Sequence, residues 1–276
     1  MMRITETVKH LIIINIILWV ATLVLAERGV DLNAMLALHF PENDSFGFWQ
    51  PITSMFMHSV MSPIHILFNM IGLWMFGSAL ETRWGKIKFL SFYMITGVGA
   101  GLVHTLVNYI EFYSLVQQVA ELNLSPEQLK QIINADILTG NQYLGKTLAN
   151  KLPTILDTAQ LNAINDLNFS ALFDMNIFNQ TKAVGASGAL YGVMVAFGML
   201  YPNMELMMMF IPIPIKAKYF IPGLLAYDLI SGISGRAGLF GGGNIAHFAH
   251  LGGALFGFLL MWYWNKTQFN KNRWDR

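Results

Sequence analysis

Hydrophobic and polar residues run along this chain in long blocks. Six blocks stay apolar over about the 20 residues of helix needed to cross a bilayer: about 9–27, 63–81, 87–109, 183–201, 218–235 and 245–264. The pattern predicts six transmembrane helices. The fifth is broken by Pro222, Asp228 and several glycines, interruptions that neighbouring helices can accommodate. Arg3 and Lys9 before the first block resemble a signal peptide, but Ala26-Glu27-Arg28 is a poor cleavage site. The block therefore reads as a retained first span.

Two connections are unusual. Residues 28–62 carry Phe46, Phe48, Trp49, Met55, Phe56 and Met57. That is too apolar for a solvated loop and too broken for a span, so the segment is expected to lie on the membrane face. Residues 110–182 are polar and compatible with helix. Ser125-Pro126-Glu127 has the form of a capped helix start, and Leu129, Ile132, Ile133 and Ile137 follow at helical spacing. Residues 157–167 read as another short helix. The expected architecture is an all-α polytopic bundle. Residues 1–109 hold spans one to three with a membrane-associated first loop. Residues 110–182 form a small helical extramembrane insert. Residues 183–276 hold spans four to six and complete one domain with 1–109.

Composition sharpens this picture. The 276 residues are 54% hydrophobic and 12% charged, where soluble domains carry about 25% charged residues. An integral membrane protein is implied. The net charge of +1 is silent on nucleic acid, and no Lys/Arg block suggests it as a partner. The absence of cysteine excludes disulfides and thiolate metal sites. With a cytoplasmic N-terminus, Arg3, Lys9, Arg83, Lys86, Lys88 and the basic C-terminal tail all fall inside, as positive charge prefers. Both termini are then cytoplasmic and the insert is extracytoplasmic.

Polar groups at membrane depth are functional candidates. Ser187 opens the fourth block between small residues, Gly185, Ala186, Gly188 and Ala189. Small neighbours permit close helix approach, and backbone N–H groups at a helix start can receive an oxyanion. A plain small-residue helix contact would also suit this stretch. In the sixth block Gly253 and Gly257 form a second close-packing face, with His250 on or near it. A serine on one span and a histidine on another suggest a nucleophile and its base. His247 and His250 stand three apart and could alternatively be metal ligands, but no His-Glu-x-x-His occurs. His65 and Asn69 share a face of the second span and carry donors suited to an oxyanion, or to an ordinary interhelical bond. Tyr191 shares the face of Ser187 and could stack on an imidazole. Tyr227-Asp228 matches half of an intramembrane aspartyl protease signature, whose Gly-x-Gly-Asp partner is missing.

The combination resembles the rhomboid intramembrane serine proteases. The resemblance rests on His65-Ile66-Leu67-Phe68-Asn69, on Gly77, Glu81 and Gly85 at four-residue spacing, on Gly185-Ala186-Ser187-Gly188 with Tyr191, and on Ala249-His250-Leu251-Gly252-Gly253. It implies a six-helix core and a Ser-His dyad working without a metal or other cofactor. Ser187 would be the nucleophile. His250 would be the base in preference to His247, because Gly253 follows it at the family's spacing. His65, Asn69 and the Ser187 N–H would form the oxyanion hole, and Tyr191 would support His250. Glu81 would be a structural glutamate. No aspartate belongs to this constellation, so packing is expected to orient the imidazole. The implied substrates are single-span or other transmembrane proteins, cut near the outer face of what is expected to be a bacterial inner membrane.

Two departures stand out. The first loop has Trp49-Gln50 where the family usually has Trp-Arg, and the insert before the nucleophile is long. The insert is expected to cap the site or select substrates. The main alternative to a protease is a catalytically silent relative that binds membrane proteins in quality control, but such relatives typically lack the serine or the histidine. A small transporter is disfavoured by the scarcity of intramembrane charge and the absence of an inverted repeat.

Overall fold

A computed structural model describes residues 3–140, 142–208, 211–234 and 244–271. The chain forms two compact units. One comprises Met1–Ala37, Pro51–His104 and Val184–Arg276, the other Leu38–Gln50 and Thr105–Ala183.

Helices stand at all six apolar blocks: α1 (Glu6–Ala26), α2 (Pro63–Trp84), α3 (Lys86–Gln118), α4 (Ser187–Leu200), α5 (Ala217–Ser234) and α6 (Asn244–Lys271). By length and composition α1, α2 and α3 are able to cross a membrane. Apolar residues of α1 such as Ile13, Ile16, Ile17, Val20 and Val24 are exposed, as expected of a helix that is hydrophobic all round.

The fourth helix is shorter than its apolar block, since α4 has 14 residues where the block runs from 183 to 201. At 1.5 Å per residue that is about 21 Å, short of a hydrocarbon core of about 30 Å. The reason is local. Gly185 has φ +131°, a left-handed value that ends any helix running in from 183, and Pro202 follows the C-terminus of α4. Between α4 and α5 lies an antiparallel hairpin, Glu205–Met208 with Ile211–Lys216, which the apolar pattern does not predict.

Two devices lock the first unit. One is Glu81, near the end of α2. Its carboxylate accepts from the Thr5 hydroxyl at 2.5 Å and from the Thr7 and Val8 amides at 3.0 Å each. Those amides belong to the first turn of α1, whose N–H groups have no intrahelical partner. An acid from another helix thus takes the place of a local cap. The other device is backbone contact between α4 and α6. A Cβ added to Gly253 would lie 1.8 Å from the Gly188 carbonyl oxygen, and one on Gly257 would lie 2.7 Å from the Gly192 Cα. Only bare α-carbons allow this approach. Around the contact, Leu73, Phe89, Phe92, Tyr93, Val193 and Phe197 are buried in one apolar core.

The second unit has its own core, built from Leu122, Ile132, Ile133, Leu148, Leu172 and Met175 among others. Its helices include Pro126–Ile133, Gly145–Lys151, Thr158–Asn162 and Asp166–Gln180. Three of them begin with reciprocal capping boxes, Ser125 with Gln128, Asp157 with Gln160, and Asn165 with Asn168. Gln50 is fully buried here. Its side chain accepts from the His39 amide at 3.1 Å and donates to the Ser45 carbonyl at 2.7 Å. A neutral amide makes both bonds, so Gln50, where the resemblance leads one to expect arginine, ties its own loop without a charge.

Candidate active site

Ser187 is the first residue of α4, where backbone N–H groups point out of the helix unpaired. The chain arrives through Gly185, whose amide donates to the Ser54 carbonyl at 3.0 Å. A Cβ on Gly185 would meet the His65 ring at 3.1–3.2 Å and the Ser187 hydroxyl at 3.5 Å. The His65 ring and the Ser187 hydroxyl therefore flank the same bare carbon. Asn69 lies one turn further along α2. It is buried, and its amide donates to the His65 carbonyl at 3.0 Å.

His250 projects from α6 onto Ser187. Its Nε2 is 2.8 Å from the Ser187 Oγ, and the glycine contact between α4 and α6 brings the two helices close enough for that distance. Tyr191, one turn beyond Ser187, stacks on the imidazole with ring centroids 4.2 Å apart and planes 9° from parallel. The structure thus brings together Ser187, His250 and Tyr191, with Gly185, Gly188 and Gly253 shaping the approach. Glu81 takes no part in this cluster and caps α1 instead.

The expectation that no aspartate joins the constellation is corrected by α5. Asp228 is buried, and its Oδ1 lies 2.5 Å from the His247 Nδ1 and 3.5 Å from the His250 Nδ1. Its Oδ2 is 3.4 Å from that same His250 nitrogen. An ionised carboxylate only accepts, so this placement suits a neutral ring with its proton on the His250 Nδ1 and its Nε2 lone pair towards the serine hydroxyl. The signal was present in the sequence, since Asp228 is the one acid in the fifth apolar block. Only the packing of α5 on α6 reveals that it meets both histidines.

His58 was not foreseen either. It is fully buried, its ring centroid 5.2 Å from that of His65. Burial, followed by the neighbouring His65 charge, pushes its pKa down to about 3. It therefore remains neutral at physiological pH.

Among the described residues, Asp228, His247 and His250 form a group able to hold a metal ion, with donor atoms within 4.8 Å of one another. The 2.5 Å bond from His247 to Asp228 accounts for the same atoms as a proton-sharing network.

Sequence comparison supplies the class. Residues 45–113 and 162–267 match the rhomboid domain. The chain belongs to the rhomboid family, and with its long apolar helices it is an integral membrane protein. It is similar to the rhomboid protease GlpG of Haemophilus influenzae, 29% identical over 32% of this chain and 46% of the relative. It is similar to the rhomboid protease AarA of Providencia stuartii, 36% identical over 23% of this chain and 22% of the relative. It also resembles the mitochondrial rhomboid protein 1 of Saccharomyces cerevisiae, 34% identical over 31% of this chain and 23% of the relative. The matched stretches span less than half the length of each.

Proposed function

We propose that the chain is an intramembrane serine endopeptidase that cleaves transmembrane segments of other membrane proteins. The observation that carries this reading is the 2.8 Å contact between the His250 Nε2 and the Ser187 Oγ, within hydrogen-bond reach for general-base catalysis. The chain's likeness to the rhomboid proteases GlpG and AarA supports it.

In this mechanism His250 takes the Ser187 proton on Nε2 as the oxygen attacks a substrate carbonyl carbon. The tetrahedral oxyanion is held by the Ser187 N–H, with His65 and Asn69 as side-chain donors. His250 returns the proton to the leaving amine as the C–N bond breaks, giving an ester on Ser187. Water then attacks the ester with His250 again as base, releasing the acid and restoring the hydroxyl. A helical peptide bond is shielded, so the substrate helix unwinds locally, and helix-breaking or small residues near the scissile bond are expected. Charge asymmetry supports cytoplasmic termini and cutting near the outer face of a bacterial inner membrane. No cofactor is required.

The test is cleavage of a single-span reporter in liposomes, with fluorophosphonate labelling of the protein in parallel. Wild type should cleave and label, while Ser187→Ala and His250→Ala should do neither. A wild type that binds the reporter but neither cleaves nor labels would instead mark a catalytically silent binder.

A further inference from the structure

We infer that Asp228 is a positioning residue for His250 and that His247 in turn holds Asp228. Ser187, His250, Asp228 and His247 then form one relay of side chains across α4, α6 and α5. The inference rests on the reading of His250 as the base and extends it to two residues outside the dyad.

The argument begins with the tautomer. A neutral imidazole can be a base at Nε2 only if its proton is on Nδ1. In an apolar interior a lone N–H without an acceptor is costly, so something must receive it. Asp228 is the group in place, with both carboxylate oxygens 3.4–3.5 Å from that nitrogen. Stacking on Tyr191 fixes the plane of the ring but does not select a tautomer. The carboxylate does.

The unequal distances supply the second step. Asp228 makes a short bond to His247, at 2.5 Å, and a long one to His250. The short bond anchors the carboxylate beneath the active ring, since His247 is itself buried. The long bond has room to tighten. Catalytic hydrogen bonds are commonly long in the resting enzyme and shorten once charge develops. When His250 takes the serine proton it becomes a cation facing an anion, and their attraction grows in the transition state alone. An interaction of that kind raises kcat and leaves KM untouched.

The experiment uses the full-length protein in liposomes, with four variants. Asp228→Asn keeps the shape and removes the charge. It should lower kcat by about tenfold to a hundredfold, the scale seen when an acceptor behind a metal-bound histidine is lost, with KM unchanged. The rate of fluorophosphonate attack on Ser187 should fall in proportion. His247→Phe should show a smaller loss of the same kind. His247→Asn retains a donor near the Nδ1 position and should recover most of it. Asp228→Glu should recover part of the Asp228→Asn loss. Melting temperatures of all four identify any variant that merely unfolds. Asp228→Asn and His247→Phe matching wild type in kcat and labelling, with His250→Ala inactive, would overturn the inference and leave the dyad standing. A loss that tracks melting temperature, or that appears in KM, would overturn it as well. If His250→Ala itself labels normally, the proposed function fails first, and that outcome is distinguishable from the others.

Discussion

The two units treat buried polar groups in opposite ways. In the second unit buried amides such as Asn176 and Asn179 are tied to backbone. Asn176 donates to the Ile132 and Ala135 carbonyls at 2.7 and 2.8 Å, and Asn179 donates to the Ile133 carbonyl at 3.1 Å. In the first unit the polar groups around Ser187 are tied to one another, hydroxyl to imidazole to carboxylate to imidazole. An amide bound to a carbonyl has no proton to pass on. A chain of titratable side chains holds protons that can move. The difference separates polarity that serves structure from polarity that serves chemistry.

The largest expected effect tests the chemical side. Ser187→Ala should reduce cleavage by at least about 10³-fold, as loss of a nucleophile does elsewhere, and should leave the melting temperature near that of wild type. A large fall in melting temperature would mean that the cluster serves structure after all. The reciprocal change, removal of an amide such as Asn176 from the other unit, should spare fluorophosphonate labelling of Ser187.

Next in size is the packing that creates the site. Gly253→Ala drives a methyl group against a backbone carbonyl that cannot rotate away. Overpacking usually costs about 1–3 kcal/mol, and contact with backbone places this case at the upper end, about 3 kcal/mol. Both stability and labelling should fall, because the same contact sets the distance from His250 to Ser187. Gly223 in α5 is the control. Nothing lies within 4 Å of its added Cβ, so Gly223→Ala should change stability by no more than about 0.5 kcal/mol. Equal losses in the two variants would show that the glycine contact does not set the geometry.

Much of this was legible in the sequence, for identifiable reasons. Helices α2 and α3 follow from uninterrupted apolar length. The small residues around Ser187 in α4 and the glycine spacing in α6 announce close packing, and the helix at Pro126 follows from Ser125 as its cap. The short α4 was not legible, since the left-handed Gly185 hides within a run as apolar as any span. The hairpin at 205–216 was missed because its methionines, isoleucines and prolines register as hydrophobicity before they register as strand. Asp228 was visible as an intramembrane acid, but its role depends on the rotation of α5 against α6. Residue spacing within one helix cannot supply that.

Structural polarity should yield a smaller effect, confined to its own unit. Asn176→Ala removes a donor from the Ile132 and Ala135 carbonyls, of which that of Ile132 keeps the Ala135 amide at 3.2 Å. An unmade buried hydrogen bond costs about 1–3 kcal/mol. Hydrogen exchange and limited proteolysis should rise in the helices Pro126–Ile133 and Asp166–Gln180, with exchange at α4 and α6 unchanged. Changes appearing equally in α4 and α6 would show that the two polar economies are not separate.

The smallest effect concerns His58, which belongs to the active-site side of the comparison by position but, unlike His250, carries no proposed chemical step. Its pKa stands near 3 in the folded protein because burial disfavours the charged ring, and near 6.5 when exposed. Between those values the unfolded chain binds a proton that the folded chain refuses. Stability must therefore rise with pH across that window and be lost as pH falls from about 6.5 towards 3. The slope is at most about 1.4 kcal/mol per pH unit. Melting temperatures measured from pH 7 down to pH 4 should show the decline, and His58→Phe, which cannot be protonated, should flatten it. A slope unchanged by that substitution would assign the acid sensitivity to another group. It would also leave His58 as a buried ring whose protonation costs the fold nothing, on the same footing as the amides of the second unit.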